Sequence, residues 1–178
     1  MGKKPARSAL HLLGWNTRFF SGYTQRAARR PVLIYWDTSS VIKLYTAESD
    51  STLWHSVAVD RTDERVSSAL LEAELAFALS QKELRGEVAS GGANALLRIF
   101  RHDVKVGRFI LFPLGADVIR RAAALAKEAA ACQPTCPLRT LDGLHLATAA
   151  ILRCKDIATA DVRMKAGAHL LGMTVVTA

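Results

Sequence analysis

Nowhere does this chain hold an apolar run of about 18 residues, the length a bilayer-spanning helix needs. It has only three cysteines in 178 residues, too few for a disulfide framework. The "CQPTC" spacing of Cys132 and Cys136 has no histidines or second cysteine pair to complete a zinc site. The thiols are read as reduced, which suits a cytoplasmic setting. Internal repeats and low-complexity segments are missing too. With 50% hydrophobic residues, the composition excludes a disordered chain.

The most telling absence is of acid in residues 1–31, which carry seven basic side chains and no Asp or Glu. Without that stretch, 17 basic groups face 16 acidic ones, so the net charge of +8 belongs to the N-terminal extension. The body makes no global electrostatic claim on nucleic acid. Residues 1–31 are too weakly hydrophobic for a secretory signal, although an Arg-rich, acid-free stretch matches an organellar transit peptide in composition. The folded part is expected to begin near residue 31 or 32, where a valine, the internal reading of a GTG start, opens the first strand. Residues 32–178 are thus read as the domain and 1–31 as a flexible tail or a misplaced start.

What is present alternates. "VLIYW" (32–36) is a β-branched, apolar run of the kind buried on both faces of a sheet. A helix follows, with Thr38, Ser39 and Ser40 as N-cap candidates. Further helices are expected over Ser51–Val59, up to about Leu84, within Glu87–Lys105 and over Asp117–Cys132. Strands are expected near Arg65–Ser67, over "RFILFPL" (108–114), at "DIATA" and at "MTVVTA". The last helix, "DVRMKAGAHLLG", stops at Gly172. This order predicts an α/β fold with a central parallel sheet covered on both faces, a three-layer α/β/α sandwich.

In such a sheet, ligands sit outside the carboxyl ends of the strands. Asp37 follows "VLIYW" and Asp161 follows "DIATA", so both fall at that end. Asp156 falls at the other and is read as solvated surface. Either aspartate alone is an ordinary turn former or helix cap. Glu72 and Glu74 lie about 200° apart on one helix. Glu74 is flanked by Leu70, Leu71, Phe77 and Ala78 and is expected to face the apolar side, while Glu72 faces the polar one. Asp142 opens the apolar helix "LDGLHLATAAIL", where the helix dipole favours a negative charge and a simple cap is the plain reading. His145, one turn on, is read as a satisfied core residue within reach of Asp142. Four acids brought to one end of a sheet would repel unless cations relieved them. All-oxygen ligation suits Mg²⁺ or Mn²⁺, and two such ions roughly 3.5–4 Å apart can clamp a phosphodiester displacement.

Four blocks, "IYWDTSSVIKLY", "SSALLEAELAFAL", "RTLDGLHLATAAIL" and "IATADVRMKAGAHLLGMTVV", resemble in order and spacing the PIN-domain nucleases. Among these they look most like the VapC-type toxins of toxin–antitoxin pairs. The resemblance spans about residues 32–178, with 84–138 matching only in helix and strand pattern. It implies a Mg²⁺- or Mn²⁺-dependent endoribonuclease that hydrolyses RNA with metal-activated water, a small cognate antitoxin as inhibitor, and a homodimer. The family's acidic quartet falls on Asp37, Glu74, Asp142 and Asp161, as catalytic and metal-binding residues. Its carboxylate-orienting hydroxyls fall on Ser39 and Thr159. Arg98, Arg101 and Arg139 are candidates for RNA backbone contacts. Three other readings stay open: an RNA-processing nuclease outside toxin systems, a non-catalytic RNA- or protein-binding module, and a receiver-like phosphoacceptor. The last lacks the acidic pair and late lysine it needs.

Overall fold

A computed structural model describes residues 32–178, and the expectations for residues 1–31 lie outside it. Five parallel strands form one sheet in the order β3-β2-β1-β4-β5. They are β1 (Leu33–Trp36), β2 (Glu64–Ser68), β3 (Ile110–Phe112), β4 (Asp156–Ala158) and β5 (Thr174–Val176). Seven helices cover the sheet: α1 (Thr38–Val41), α2 (Ser51–Asp60), α3 (Leu70–Leu84), α4 (Gly92–Lys105), α5 (Ala116–Ala131), α6 (Thr140–Ile151) and α7 (Val162–Leu170). The expected α/β/α sandwich is the observed architecture.

Side-chain alternation along β1 builds the two cores. Ile34 and Trp36 face a cluster made with Trp54 of α2, the Leu71–Leu75–Leu79 stripe of α3, and Phe100 of α4. Tyr35 faces the opposite cluster, with Leu125 of α5, Leu146 and Ala149 of α6, and Met164 and Ala168 of α7. A central strand buried on both sides needs apolar residues at every position, hence the unbroken run.

The ladder of β3 is shorter than the expected 108–114. Only Ile110–Phe112 pair with β2, because Pro113 has no N–H to continue it. The cap of α1 is Asp37 rather than Thr38, Ser39 or Ser40. Its side chain accepts from Ser40 N, which leaves the neighbouring hydroxyls free for other partners. Gly172, at φ 66°, supplies the left-handed turn that ends α7 as expected.

The strand order reverses direction between β1 and β4, and there the crevice of an open α/β sheet forms. The helices that flank it, α6 and α7, pack closely through Gly167: a Cβ there would stand 2.3 Å from a Leu146 side-chain carbon and 2.8 Å from one of Leu138. Leu146 is fully buried and has little room to yield. Gly167→Val is expected to cost about 2 kcal/mol by overpacking, a fall in melting temperature of roughly 5 °C. Thermal unfolding checks this, and an unchanged midpoint would show that the contact gives way freely.

Candidate active site

Asp37 leaves β1 at the switch point, its backbone N–H bonded to Ala158 O of β4 at 3.2 Å. Its carboxylate is only 4% exposed and is surrounded by donors. Ser39 Oγ donates to Oδ1 at 2.8 Å, Thr159 Oγ1 donates to Oδ2 at 2.8 Å, and Ser40 N donates to Oδ1 at 3.2 Å. Burial pushes the Asp37 pKa up, and these hydrogen bonds offset only part of the effect.

The two hydroxyls also tie Asp37 to Asp161. Asp161 N–H donates to both Ser39 Oγ and Thr159 Oγ1 at 3.1 Å, and Ala160 N–H donates to Ser39 Oγ at 2.9 Å. Ser39 and Thr159 thus touch the first acid with their protons and the loop of the last acid with their lone pairs. Asp161 itself caps α7, accepting from Arg163 N at 2.7 Å and Met164 N at 3.3 Å.

Glu72 and Glu74 lie on opposite flanks of the Leu71–Leu75–Leu79 stripe, one residue after its first member and one before its second. Glu72 turns to α4, where Arg101 pairs with it at 2.7 Å. Glu74 turns to the sheet end, where Thr38 Oγ1 donates to its Oε2. The inward setting of Glu74 matches the expectation, but its helical neighbour Phe77 is 75% exposed, so the apolar face is narrower than the sequence suggests. His145 Nε2 stands 2.6 Å from the same Oε2. Burial works against the charge on Glu74. The hydrogen bonds from His145 and Thr38 outweigh it and hold the carboxyl below its ordinary range. His145 is a satisfied core residue as expected, though its partner is Glu74 rather than Asp142.

Asp142 Oδ2 accepts from Arg139 N at 2.9 Å, the plain helix-start role. It also faces Arg163, whose Nε lies 3.5 Å from Asp142 Oδ2 while its Nη2 donates to Asp161 Oδ2 at 3.0 Å. One guanidinium therefore bridges two of the four acids. The sequence reading missed Arg163, Thr38 and Tyr35. The signal for Arg163 was its place two residues after a capping acid, in a first helical turn where a long side chain can fold back.

The four acids form a linked arrangement rather than a single cage. Among the described residues, no three or more His, Cys, Asp and Glu side chains gather into a group that could hold a metal ion. The chemistry still fits a hard divalent ion that keeps most of its waters, which needs only one or two carboxylates, and Asp37 and Asp161 are coupled through shared hydroxyls. Of the candidate RNA contacts, Arg139 is exposed at the start of α6 and Arg98 is exposed on α4, while Arg101 is engaged by Glu72. Asp156, at the far end of β4, pairs with Arg61 instead of standing solvated.

Comparison with known proteins gives concordant matches. The pattern of the PIN domain family covers residues 34–170. The chain is 31% identical over 149 residues to Ribonuclease VapC35 of Mycobacterium tuberculosis, a match covering 81% of this chain and 96% of that one. It is 36% identical over 145 residues to Ribonuclease VapC46 of the same species, covering 80% and 95%. Among solved structures, VapBC2 from Rickettsia felis, bound to a promoter DNA fragment, matches with a TM-score of 0.59 at 14% identity, over 82% of this chain and 98% of that one. VapC20 of Mycobacterium tuberculosis, a Sarcin-Ricin loop cleaving toxin, matches at 0.57 and 12% identity, over 75% and 93%. At such identities these two structures speak to the fold alone.

Two outcomes follow from the charges. The raised pKa of Asp37 means that the folded state binds this proton more tightly than the unfolded chain does, so the contribution is favourable in acid and is lost as pH rises above the ordinary value of 3.8 and through the folded pKa. Asp37→Asn is therefore expected to match wild type in acid and to melt a few degrees higher at neutral pH in chelating buffer. A lower midpoint at neutral pH would contradict the burial argument. Arg163→Gln removes the charge shared by Asp142 and Asp161, and is expected to cost about 1 kcal/mol after solvent screening. That loss should shrink in high salt, as unfolding at two ionic strengths will show.

Proposed function

The chain belongs to the PIN-domain family, and on that premise we propose that it is a metal-dependent endoribonuclease, the toxin of a toxin–antitoxin pair. The observation that carries this reading is the coupling of Asp37 and Asp161 through Ser39 and Thr159 at the switch point between β1 and β4. Similarity to two ribonucleases along most of their length supports the substrate class.

Asp37 and Asp161 would hold a Mg²⁺ or Mn²⁺ ion, and Glu74 and Asp142 would complete or share a second position. When bound, the ion supplies Lewis-acid polarisation of the scissile phosphate and lowers the pKa of water. Ser39 and Thr159 keep both oxygens of Asp37 in fixed orientation, and with them the loop that carries Asp161. Glu74 is kept ionised by His145 and so accepts rather than donates at neutral pH. Arg163 balances the charge of Asp142 and Asp161. Arg139, exposed beside Asp142, contacts the RNA backbone, as does Arg98; Arg101 would first have to leave Glu72.

A small antitoxin that covers this site, a homodimeric assembly and a cytoplasmic location complete the reading. The antitoxin is supported by fold neighbours solved as toxin–antitoxin complexes, and the location by the free state of Cys132, Cys136 and Cys154. No helix among the described residues is long and apolar enough to cross a membrane. The same site would also serve an RNA-processing nuclease outside a toxin system. A short antitoxin reading frame beside the gene separates the two.

Incubation of the purified protein with total RNA, with Mg²⁺ or with EDTA, tests the activity. Cleavage is expected only with the ion, and Asp37→Asn or Asp161→Asn should lower it at least ~100-fold. Glu72→Gln, which disturbs only the pair with Arg101, should be nearly silent. Undiminished cleavage in EDTA or by either aspartate variant would refute the mechanism.

A further inference from the structure

Behind Glu74 lies a buried polar chain that the ligand set leaves unexplained. Tyr35 is fully buried in β1 and His145 is 3% exposed in α6. Tyr35 Oη stands 2.7 Å from His145 Nδ1, and the two rings meet edge to face with centroids 5.8 Å apart. Tyr35 Oη also accepts the backbone N–H of Ser68, the last residue of β2, at 3.0 Å. The sequence of contacts therefore runs from a sheet backbone through a phenol and an imidazole to a carboxylate on α3.

We propose that His145 and Tyr35 are positioning residues for RNA cleavage: a relay that anchors Glu74 to the sheet and sets its free oxygen toward the reaction centre. The proposal rests on the nuclease reading and adds two residues to it.

The direction of each bond follows from chemistry. An ionised carboxylate only accepts, so Nε2 of His145 must carry the proton it shares with Glu74. Where the imidazole carries no second proton, Nδ1 is the acceptor, and the phenol, already holding the Ser68 N–H on its oxygen, donates to it. Both donors to Glu74, His145 and Thr38, fall on Oε2. Oε1 is left without a hydrogen-bond partner among the described residues.

Packing alone gives no reason for this arrangement. Phenylalanine and leucine would fill the two positions without burying an oxygen and two ring nitrogens that must all be satisfied. Nor can α3 fix Glu74 by itself. The residue stands on the flank of its helix, on a long side chain with several rotors, and the helix belongs to the layer opposite α6. The His145–Glu74 bond crosses over the end of the sheet and joins the two helical layers at the site.

Tyr35→Phe removes one oxygen and keeps the ring. His145→Leu removes the donor, and His145→Gln returns an amide N–H near the place of Nε2. Each is compared with wild type for kcat and KM on RNA, for Mn²⁺ affinity without RNA by calorimetry, and for melting temperature. Tyr35→Phe and His145→Leu are expected to lower kcat and weaken Mn²⁺ binding roughly 10–100-fold with KM little changed, and His145→Gln to recover most of the loss. In a Glu74→Gln background, His145→Leu should add no further loss. The relay is overturned if Tyr35→Phe and His145→Leu, each folded, keep wild-type kcat and Mn²⁺ affinity. A second full loss in the Glu74→Gln background also overturns it, because His145 would then act elsewhere. Wild-type protein that neither cleaves RNA nor binds Mn²⁺ overturns the nuclease reading, and the relay with it; an active wild type with indifferent variants removes the relay alone.

Discussion

The structure depends on burying a carboxylate at the end of the central strand. Asp37 is removed from water by the same packing that makes β1 the middle of the sheet, and an isolated charge there would cost several kcal/mol. Four donors around it reduce that cost, and two of them come from residues that also receive the N–H groups of the β4–α7 loop. The solution for one charge therefore determines where a second one stands. Holding Asp37 in place and placing Asp161 are a single physical event.

The other two acids are handled by different means. Glu74 is met by an imidazole and a hydroxyl, and Asp142 by a helix-start N–H and a guanidinium. Every carboxylate of the quartet has an internal partner, which lets acids collect near one sheet end. These partners differ in kind. Thr159 and the imidazole are buried and Thr38 and Ser39 partly so, and all hold orientation through hydrogen bonds, whereas Arg163 brings a positive charge along with its hydrogen bond to Asp161.

Packing fixes where these acids stand. Helices α6 and α7 carry Asp142 and Asp161 and approach closely where Gly167 has no side chain, so the two acids share one rigid support. On the other side of the sheet, α3 is held by its leucine stripe, and it has a polar link to the opposite layer through His145. The site is assembled where three independently packed units meet, and hydrogen bonds at that junction register them with one another.

The order of strands and helices, the burial of β1, and the positions of Asp37 and Asp161 at strand ends were legible from the chain, while Ser39 and Thr159 were singled out by the family resemblance. The burial and the acids are local properties: an unbroken apolar run and an acid at the end of it. Helical phase likewise separated Glu74 from Glu72, though Phe77 shows that phase alone overstates how wide the buried face is. What only the tertiary structure decided was the pairing. His145 meets Glu74 across 71 residues and Tyr35 across 110, and Arg163 chooses Asp142 as well as Asp161. Such choices depend on how far two helices stand apart once their apolar faces are packed, and no periodicity within a single element carries that distance.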